Sequence, residues 1–149
     1  MTPETLQQLL SDNFADWVQA LDLTVQEADA EHVLMRMPLS DHLARVGGIV
    51  SGQALAALAD TTMVLAAVAH AGEFKPFATT DLHTQFLRPG VGTAILCRAQ
   101  IVRARTGRHQ HKIGMGDDIG NLARDGGRRI DDEKANARRP RLVHRACQR

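Results

Sequence analysis

Residues 51 to 71 read SGQALAALADTTMVLAAVAHA, and this stretch decides the fold of the chain. Alanine and leucine are strong helix formers, so their density predicts a helix, and Gly72 directly after it is a typical helix end. Apolar residues cover almost the whole circumference of such a helix, so other elements must surround it. The apolar part, residues 54 to 71, contains Asp60 and is shorter than the roughly 20 residues that a bilayer span needs. We therefore expect a buried core helix and no membrane span.

The segments before this helix show both periodicities of regular structure. Residues 3 to 20 carry leucine, phenylalanine, tryptophan and valine at helical spacing after a Thr-Pro-Glu start, which predicts an amphipathic first helix. Residues 21 to 38 alternate apolar and polar side chains around a polar break at residues 27 to 31, which is typical of a β-hairpin. Residues 40 to 50 contain two consecutive glycines and are predicted to form a loop.

Two strand-like segments follow the helix. They span residues 77 to 87 and 93 to 105, and an Arg-Pro-Gly cluster at residues 88 to 90 predicts a turn between them. A first helix, a hairpin, a buried helix and further strands together predict an α+β domain. In that domain an antiparallel sheet wraps around one central helix at about residues 51 to 71.

The chain changes character at about residue 108. Residues 1 to 108 hold eight basic and eleven acidic side chains, whereas residues 109 to 149 hold ten and six and show neither alternation nor a helical stripe. We predict one domain over residues 1 to 108 and an atypical basic tail after it, in which any strand is doubtful. The simplest interpretation of the tail is a solvated basic segment. A nucleic-acid-binding arm is less favoured, because the tail has no aromatic ring for base stacking.

A third interpretation of the tail is a shift of the reading frame near residue 108. Back-translation read one base later permits a strand-like series with Glu-Trp-Glu near positions 114 to 116 and an alternating, threonine-rich continuation. The last strands of the sheet should have this pattern. The frameshift is a hypothesis that sequencing the 3′ end of the gene can test.

Length and composition restrict the class of protein. The chain has 149 residues, of which 44% are hydrophobic, enough for one buried core. A net charge of +1 attracts neither nucleic acid nor an anionic membrane, so neither is expected as a partner. Cys97 and Cys147 lie far apart, and no cationic leader with an apolar stretch precedes the predicted domain. These features predict a reduced, cytoplasmic protein.

Gly52 stands at the predicted start of the central helix. The N–H groups there have no partner within the helix and lie at the positive end of its dipole, which suits the stabilisation of an oxyanion. Glycine also lets a substrate carbonyl approach the backbone closely. Small residues begin many helices for reasons of capping and packing alone, and that interpretation is the commoner one for this feature.

Asp60 is the stronger candidate for a catalytic residue. A carboxylate in an otherwise apolar helix costs several kcal/mol to bury unless it has a partner or a function. It could cap a neighbouring backbone group or face solvent at an edge. In the functional interpretation it is a nucleophile toward a thioester carbonyl or a general base for water.

The spacing of Gly52 and Asp60 has a mechanical consequence. Eight residues at 1.5 Å per residue separate them by roughly 12 Å along one helix, too far to act on one carbonyl. If both serve one thioester, they come from two chains whose central helices run antiparallel across a two-fold axis. Function therefore predicts a dimer with two equivalent sites.

At these residues the chain resembles the hotdog-fold thioesterases of the phenylacetyl-CoA and 4-hydroxybenzoyl-CoA type. The resemblance covers about residues 30 to 108. Four blocks carry it: Gly47-Gly48, Ser51-Gly52-Gln53-Ala-Leu-Ala-Ala-Leu-Ala-Asp60-Thr61, Thr79-Thr80-Asp81-Leu82 and Phe86-Leu87-Arg88-Pro89. The second and fourth blocks at this spacing are fairly specific. The resemblance implies that Gly52 is the oxyanion N–H donor, Asp60 the acidic catalytic residue, and Thr79 the hydroxyl that helps to place the water.

The chain departs from the family pattern at the helix entry. Ser51 and Gln53 flank the central glycine where many members have His-Gly-Gly, and Arg45 stands where an asparagine or glutamine often polarises the thioester. An arginine can polarise a carbonyl or bind a CoA phosphate, but it can also pair with a surface acid. We name all three as substrate-binding candidates, together with Arg88 and Arg108. The resemblance suggests that some of the arginines after the strands line the groove for the CoA phosphates, although such arginines are more often simply solvated.

The resemblance implies hydrolysis of an aromatic or medium-chain acyl-CoA by a homodimer or a dimer of dimers. CoA is part of the substrate, so no cofactor is expected. No metal is expected, because the histidines of the His109-Gln110-His111 motif lack a third ligand. One alternative is a hotdog hydratase or dehydratase, which generally pairs a histidine with the acid, yet the helix-entry block has none. The other is a non-catalytic acyl-CoA-binding or inactive hotdog protein.

Overall fold

The computed structural model describes residues 1–107, 110–122 and 144–148. It is a mixed α+β fold in which one long helix packs against an antiparallel sheet, as the pattern of the sequence predicts. In chain order the elements are α1 (Pro3–Asn13), α2 (Asp16–Gln19), β1 (Thr24–Ala28), β2 (His32–Pro38), β3 (Ala44–Arg45), β4 (Ile49–Val50), α3 (Gly52–Ala71), β5 (Phe77–Asp81), β6 (Ala94–Gly107), β7 (Gln110–Leu122) and β8 (His144–Gln148).

The central helix α3 has a defined cap at each end. Ser51 is its N-cap, and the serine Oγ accepts a hydrogen bond of 3.2 Å from the N–H of Ala54. Gly72 ends the helix in the left-handed conformation with φ 74°, and its N–H donates to the carbonyl of Val68. By length and composition α3 could cross a membrane, but 67% of its most apolar window is buried inside the protein. The expectation of a core helix is confirmed.

Within the described residues the sheet has six strands in the order β1-β2-β6-β7-β8-β5, and every neighbouring pair is antiparallel. The two shortest strands, β3 and β4, form a separate hairpin. The predicted hairpin of residues 21 to 38 is confirmed as the pair β1 and β2. The strand β5, which directly follows α3 in the chain, lies at the opposite edge of the sheet from β1.

The core lies between α3 and the middle of the sheet. Along β2 the buried side chains alternate with partly exposed ones, and Val33, Met35 and Met37 point inward. Leu58, Met63 and other apolar residues of α3 join them in one buried cluster. The sheet therefore buries the large apolar side chains of α3, whose exposure to water would cost the most free energy.

The prediction of one continuous helix over residues 3 to 20 is wrong. The structure breaks it after Asn13, and Phe14 and Ala15 have extended backbone conformations. The reason is the side chain of Gln19, whose Nε2 donates to the carbonyl oxygens of Leu10 at 2.5 Å and Phe14 at 3.3 Å. The last carbonyls of a helix run out of helical N–H donors, and this amide supplies one to them, in addition to the Phe14 N–H that the Leu10 carbonyl accepts.

Two predicted boundaries around α3 are also corrected. The strand predicted over residues 77 to 87 ends at Asp81, and the apolar side chains of Leu82, Phe86 and Leu87 beyond it are exposed. Their alternation indicated a strand, but they do not face the core. The loop predicted over residues 40 to 50 contains the short β3–β4 hairpin.

The doubt about strands after residue 108 is not supported by the described residues. The strand β7 pairs with β6 from Gly107↔Gln110 to Ala94↔Leu122, and β8 lies between β7 and β5. Backbone hydrogen bonding needs no apolar alternation, which is why the side-chain pattern did not indicate these strands. The division at residue 108 and the shifted reading frame stay predictions.

The packing of α3 leads to a first prediction. Leu58 is fully buried in α3, so Leu58→Ala should lower the free energy of unfolding by about 2–5 kcal/mol through lost burial and a cavity. The matched control is Leu87→Ala, because Leu87 is 67% exposed and its truncation should change stability by less than about 0.5 kcal/mol. Urea unfolding followed by circular dichroism measures both. Equal effects of the two substitutions would contradict the placement of α3 in the core.

Candidate active site

Asp60 lies in the middle of α3 and is partly buried, with Ala59 and Thr61 buried on either side of it. Its carboxylate has a partner on another element, because the hydroxyl of Thr79 on β5 donates to Asp60 Oδ1 at 2.5 Å. This bond joins the middle of the core helix to the edge strand. It explains how a carboxylate is tolerated there, since a hydrogen bond to the charged form offsets part of the cost of burial.

The edge strand β5 is irregular next to this bond. Its pairing with β8 shifts register between Thr79 and Asp81, which places a bulge at Thr80. A bulge bends a strand and re-aims the side chains beside it. Four of the five residues of β5 are exposed, so Thr79 and the carboxylate that it contacts lie at an open edge of the subunit.

The start of α3 presents free backbone donors. Ser51 Oγ accepts from the N–H of Ala54, and the Ser51 carbonyl accepts from the N–H of Leu55 at 3.2 Å. None of the residues that the structure describes accepts a hydrogen bond from the N–H of Gly52 or Gln53. Two adjacent donors at the positive end of a 20-residue helix form a ready binding position for a developing negative charge.

An aromatic ring covers Gly52. A methyl group added at this glycine would lie 3.3 Å from Phe86 Cζ and 3.4 Å from Cε2, so the ring occupies the space that any larger residue would need. Phe86 belongs to the segment between β5 and β6, and its side chain is 55% exposed. A side chain at this position would therefore have to displace the Phe86 ring by a few tenths of an ångström.

The predicted loop that holds Arg45 is a tight turn. The N–H of Gly48 donates to the Arg45 carbonyl at 3.0 Å, and Gly47 and Gly48 have φ angles of 91° and 71°. Glycine tolerates these left-handed conformations, which turn the chain from β3 into β4. Arg45 is exposed at the base of this turn, on the chain that leads directly into α3.

The other candidate residues have different surroundings. Ser51 uses its hydroxyl to cap α3, while Gln53 and Arg88 are exposed. Arg108 lies outside the described residues. The roles of these four residues in binding a substrate stay predictions.

A separate charged cluster lies at the other end of α3. His70, in the last turn of α3, has its Nδ1 2.9 Å from the carbonyl of Ala30 in the β1–β2 turn. In the same turn, the N–H groups of Glu31 and His32 donate to Asp29 and hold the pKa of its carboxyl below its ordinary value. This cluster stabilises the turn.

Across the described ranges, no group of three histidine, cysteine, aspartate or glutamate side chains could hold a metal ion.

The structure thus gathers the candidates into two groups on one helix. Asp60 and Thr79 form the first, and the free N–H groups beside Phe86 form the second, roughly 12 Å away along α3. Within one chain the two groups cannot contact the same carbonyl. The Gly52–Phe86 contact was not predicted from the sequence, although Phe86 stands in a quoted block, because nothing local indicates which glycine a loop ring will contact.

A family model described as the acyl-CoA thioesterase C-terminal domain matches residues 3–123 of the chain. The match includes both groups of the candidate site and the described strand β7. Comparison with curated protein sequences gives no match.

Several solved structures have a similar fold. A thioesterase from Haemophilus influenzae is 21% identical, with a TM-score of 0.66 over 99% of this chain and 87% of that one. The phenylacetic acid degradation-related protein of Ralstonia eutropha JMP134 is 16% identical, with a TM-score of 0.67 over 97% and 98%. Thioesterase superfamily member 2 of zebra fish is 19% identical, with a TM-score of 0.62 over 98% and 93%. The predicted hotdog fold is confirmed.

Proposed function

Because the chain belongs to the acyl-CoA thioesterase C-terminal domain family and is a thioester hydrolase, we propose that two subunits share each reaction site. Asp60 of one subunit and the N–H of Gly52 of the other act on the same thioester carbonyl. The single observation that carries this proposal is the hydrogen bond from Thr79 to Asp60, which holds a carboxylate at an open edge of the subunit.

The chemistry assigned to Asp60 is that of a general base. The Thr79 hydroxyl engages Oδ1, which leaves Oδ2 to take a proton from water while the water oxygen adds to the carbonyl carbon. Negative charge then develops on the carbonyl oxygen, where the N–H of Gly52 stabilises it. The carbon–sulfur bond breaks as the carbonyl re-forms, and the CoA thiolate leaves with the proton that Asp60 had taken from water, which regenerates the base. The oxygen of Thr79 can also accept a hydrogen bond from the water and so orient it.

Two features support a dimer. The separation of roughly 12 Å along α3 prevents one chain from completing the site, and antiparallel α3 helices bring Gly52 of each subunit toward Asp60 of the other. The strand β5 also lies at the edge of the described sheet, and most of its residues are exposed, so it is available to contact a second copy. A dimer of dimers would leave this pairing unchanged.

The proposed substrate is an aromatic or medium-chain acyl-CoA, in the cytoplasm. The resemblance to phenylacetyl-CoA and 4-hydroxybenzoyl-CoA thioesterases supports this, as does the fold likeness to the phenylacetic acid degradation-related protein. Arg45 and Arg88 are exposed cations available to the phosphates of CoA. CoA leaves with the product, so the reaction needs no cofactor.

Removal of the proposed base tests the function directly. Asp60→Asn keeps an acceptor for the Thr79 hydroxyl but is a far weaker base, so kcat for release of free thiol from acyl-CoAs should fall by about 10²–10⁴-fold. The control is Asp12→Asn on the exposed surface of α1, which should keep the wild-type rate. A fully active Asp60→Asn would refute the assignment. Wild-type binding of acyl-CoA without turnover would support the non-catalytic alternative.

The N–H donor is tested by a matched pair of substitutions at Gly52. Proline is favoured at this first helical position, and Ser51 before it is already extended at ψ 144°, so Gly52→Pro removes the N–H with little cost to the helix. Its kcat should fall by about 10²–10³-fold. Gly52→Ala adds a similar carbon toward Phe86 but keeps the donor, and should lose less than about tenfold. Equal losses in steady-state assays would contradict an oxyanion role.

Mixing two inactive variants tests whether the site is shared. In a dimer of one Asp60→Asn chain and one Gly52→Pro chain, one of the two sites keeps both groups intact. Random exchange of subunits should therefore recover about a quarter of the wild-type rate. If each site lay within one chain, co-refolded mixtures would show only the residual rates of the two variants.

A further inference from the structure

We propose that Phe86 forms the wall against which the acyl group packs, and that it determines which acyl groups the enzyme accepts. This role rests on the proposed function, since it assumes that a thioester carbonyl binds at the Gly52 N–H. It gives the binding of the acyl group to a residue that is not one of the proposed catalytic groups.

The position of the ring relative to the donor carries the proposal. An oxygen accepting from the Gly52 N–H lies about 2.9 Å from the nitrogen, and the carbonyl carbon lies about 1.2 Å beyond it. The Phe86 ring is already in contact with the same residue, 3.3 Å from where its Cβ would stand. Since the ring and the proposed donor lie at the same helix start, we place the first carbons attached to a carbonyl bound there beside the ring.

The backbone around Phe86 is fixed to the rest of the domain. The Val50 N–H donates to the Gly90 carbonyl at 2.9 Å, and the Leu39 N–H donates to the Thr93 carbonyl at 2.9 Å. Gly90 also packs so closely that an added Cβ would lie 2.3 Å from Val50 Cγ1. The segment after β5 is thus joined to the strand that leads into α3, so ring and donor have a defined spacing.

Packing in the hydrophobic core does not account for the position of the Phe86 ring. Phe86 is 55% exposed and Leu87 beside it is 67% exposed, while the buried cluster of the domain includes neither. An aromatic side chain left half in water can still bury a large apolar area when a ligand covers it. An acyl group fits such a surface, whereas the amides of the pantetheine arm would lose hydrogen bonds to water against it.

The test compares acyl groups on the same CoA carrier. Phe86→Ala should lower kcat/KM for phenylacetyl-CoA and hexanoyl-CoA by about tenfold or more, and for acetyl-CoA by less than about threefold. Phe86→Leu should recover hexanoyl-CoA better than phenylacetyl-CoA. The control is Trp17→Ala, because this other exposed aromatic lies on α2 and its loss should leave all three rates unchanged. A uniform loss on all three thioesters would overturn the proposal.

A double-mutant cycle tests the contact itself. Gly52→Ala should reduce kcat/KM by several-fold in the wild-type background, because the new Cβ crowds the ring at 3.3 Å. In the Phe86→Ala background the same substitution should have almost no effect. Additive losses would mean that the ring does not control the space at the helix start. Loss of the dimer in Phe86→Ala, seen by size-exclusion chromatography, would assign the ring to the subunit interface and overturn the acyl role.

Binding separates this proposal from the proposed function. On an Asp60→Asn background that does not turn over, adding Phe86→Ala should raise the Kd of phenylacetyl-CoA about tenfold and leave that of free CoA unchanged. This measurement needs no catalysis. Should the proposed function fail, the wild type would release no thiol or Asp60→Asn would stay active. Should only the acyl wall fail, thiol release would still depend on Asp60 but both Kd values would change together or not at all.

Discussion

The burial of α3 is the constraint on which the rest of the described structure depends. A helix of 20 residues with apolar side chains on nearly every face cannot lie on a surface, so the sheet must curve around it and α1 must pack beside it. That enclosure gives a single carboxylate within the helix an unusual position. Asp60 must find a partner, and the hydroxyl of Thr79 at the sheet edge provides one.

Because a helix is rigid, it holds the two proposed catalytic groups of one chain apart, although the reaction needs both at one carbonyl. The capped start of α3 offers N–H groups that no described residue accepts from, while the acid lies roughly 12 Å further along the axis, and no side-chain rotation can close that gap. In the proposed dimer a two-fold axis closes this gap without any conformational change, because each helix supplies the group that the other lacks. The length of α3 thus underlies both its burial in the core and the dimer that we propose.

Sequence patterns predicted the elements whose side chains face the core. Alanine and leucine density located α3 almost to the residue, and alternation located the first hairpin. Where tertiary contacts decide, the patterns were insufficient. The side-chain amide of Gln19 ends α1 early, and the apolar residues after Asp81 leave the sheet. Backbone pairing forms β7 and β8 despite their poor side-chain pattern.

The candidate site likewise contains features that the sequence predicted and one that it did not. Asp60 and Gly52 stood out because a lone acid and a glycine at a helix start are local features of the sequence. The ring over the glycine is not local. The close packing of Gly90 on Val50 restricts how this segment can change in evolution. A side chain added at residue 90 would clash with Val50, and inserted residues would disturb the same contact. At residue 86, by contrast, the half-exposed side chain can change without disturbing the buried cluster, so the two neighbouring positions differ in how freely they can evolve.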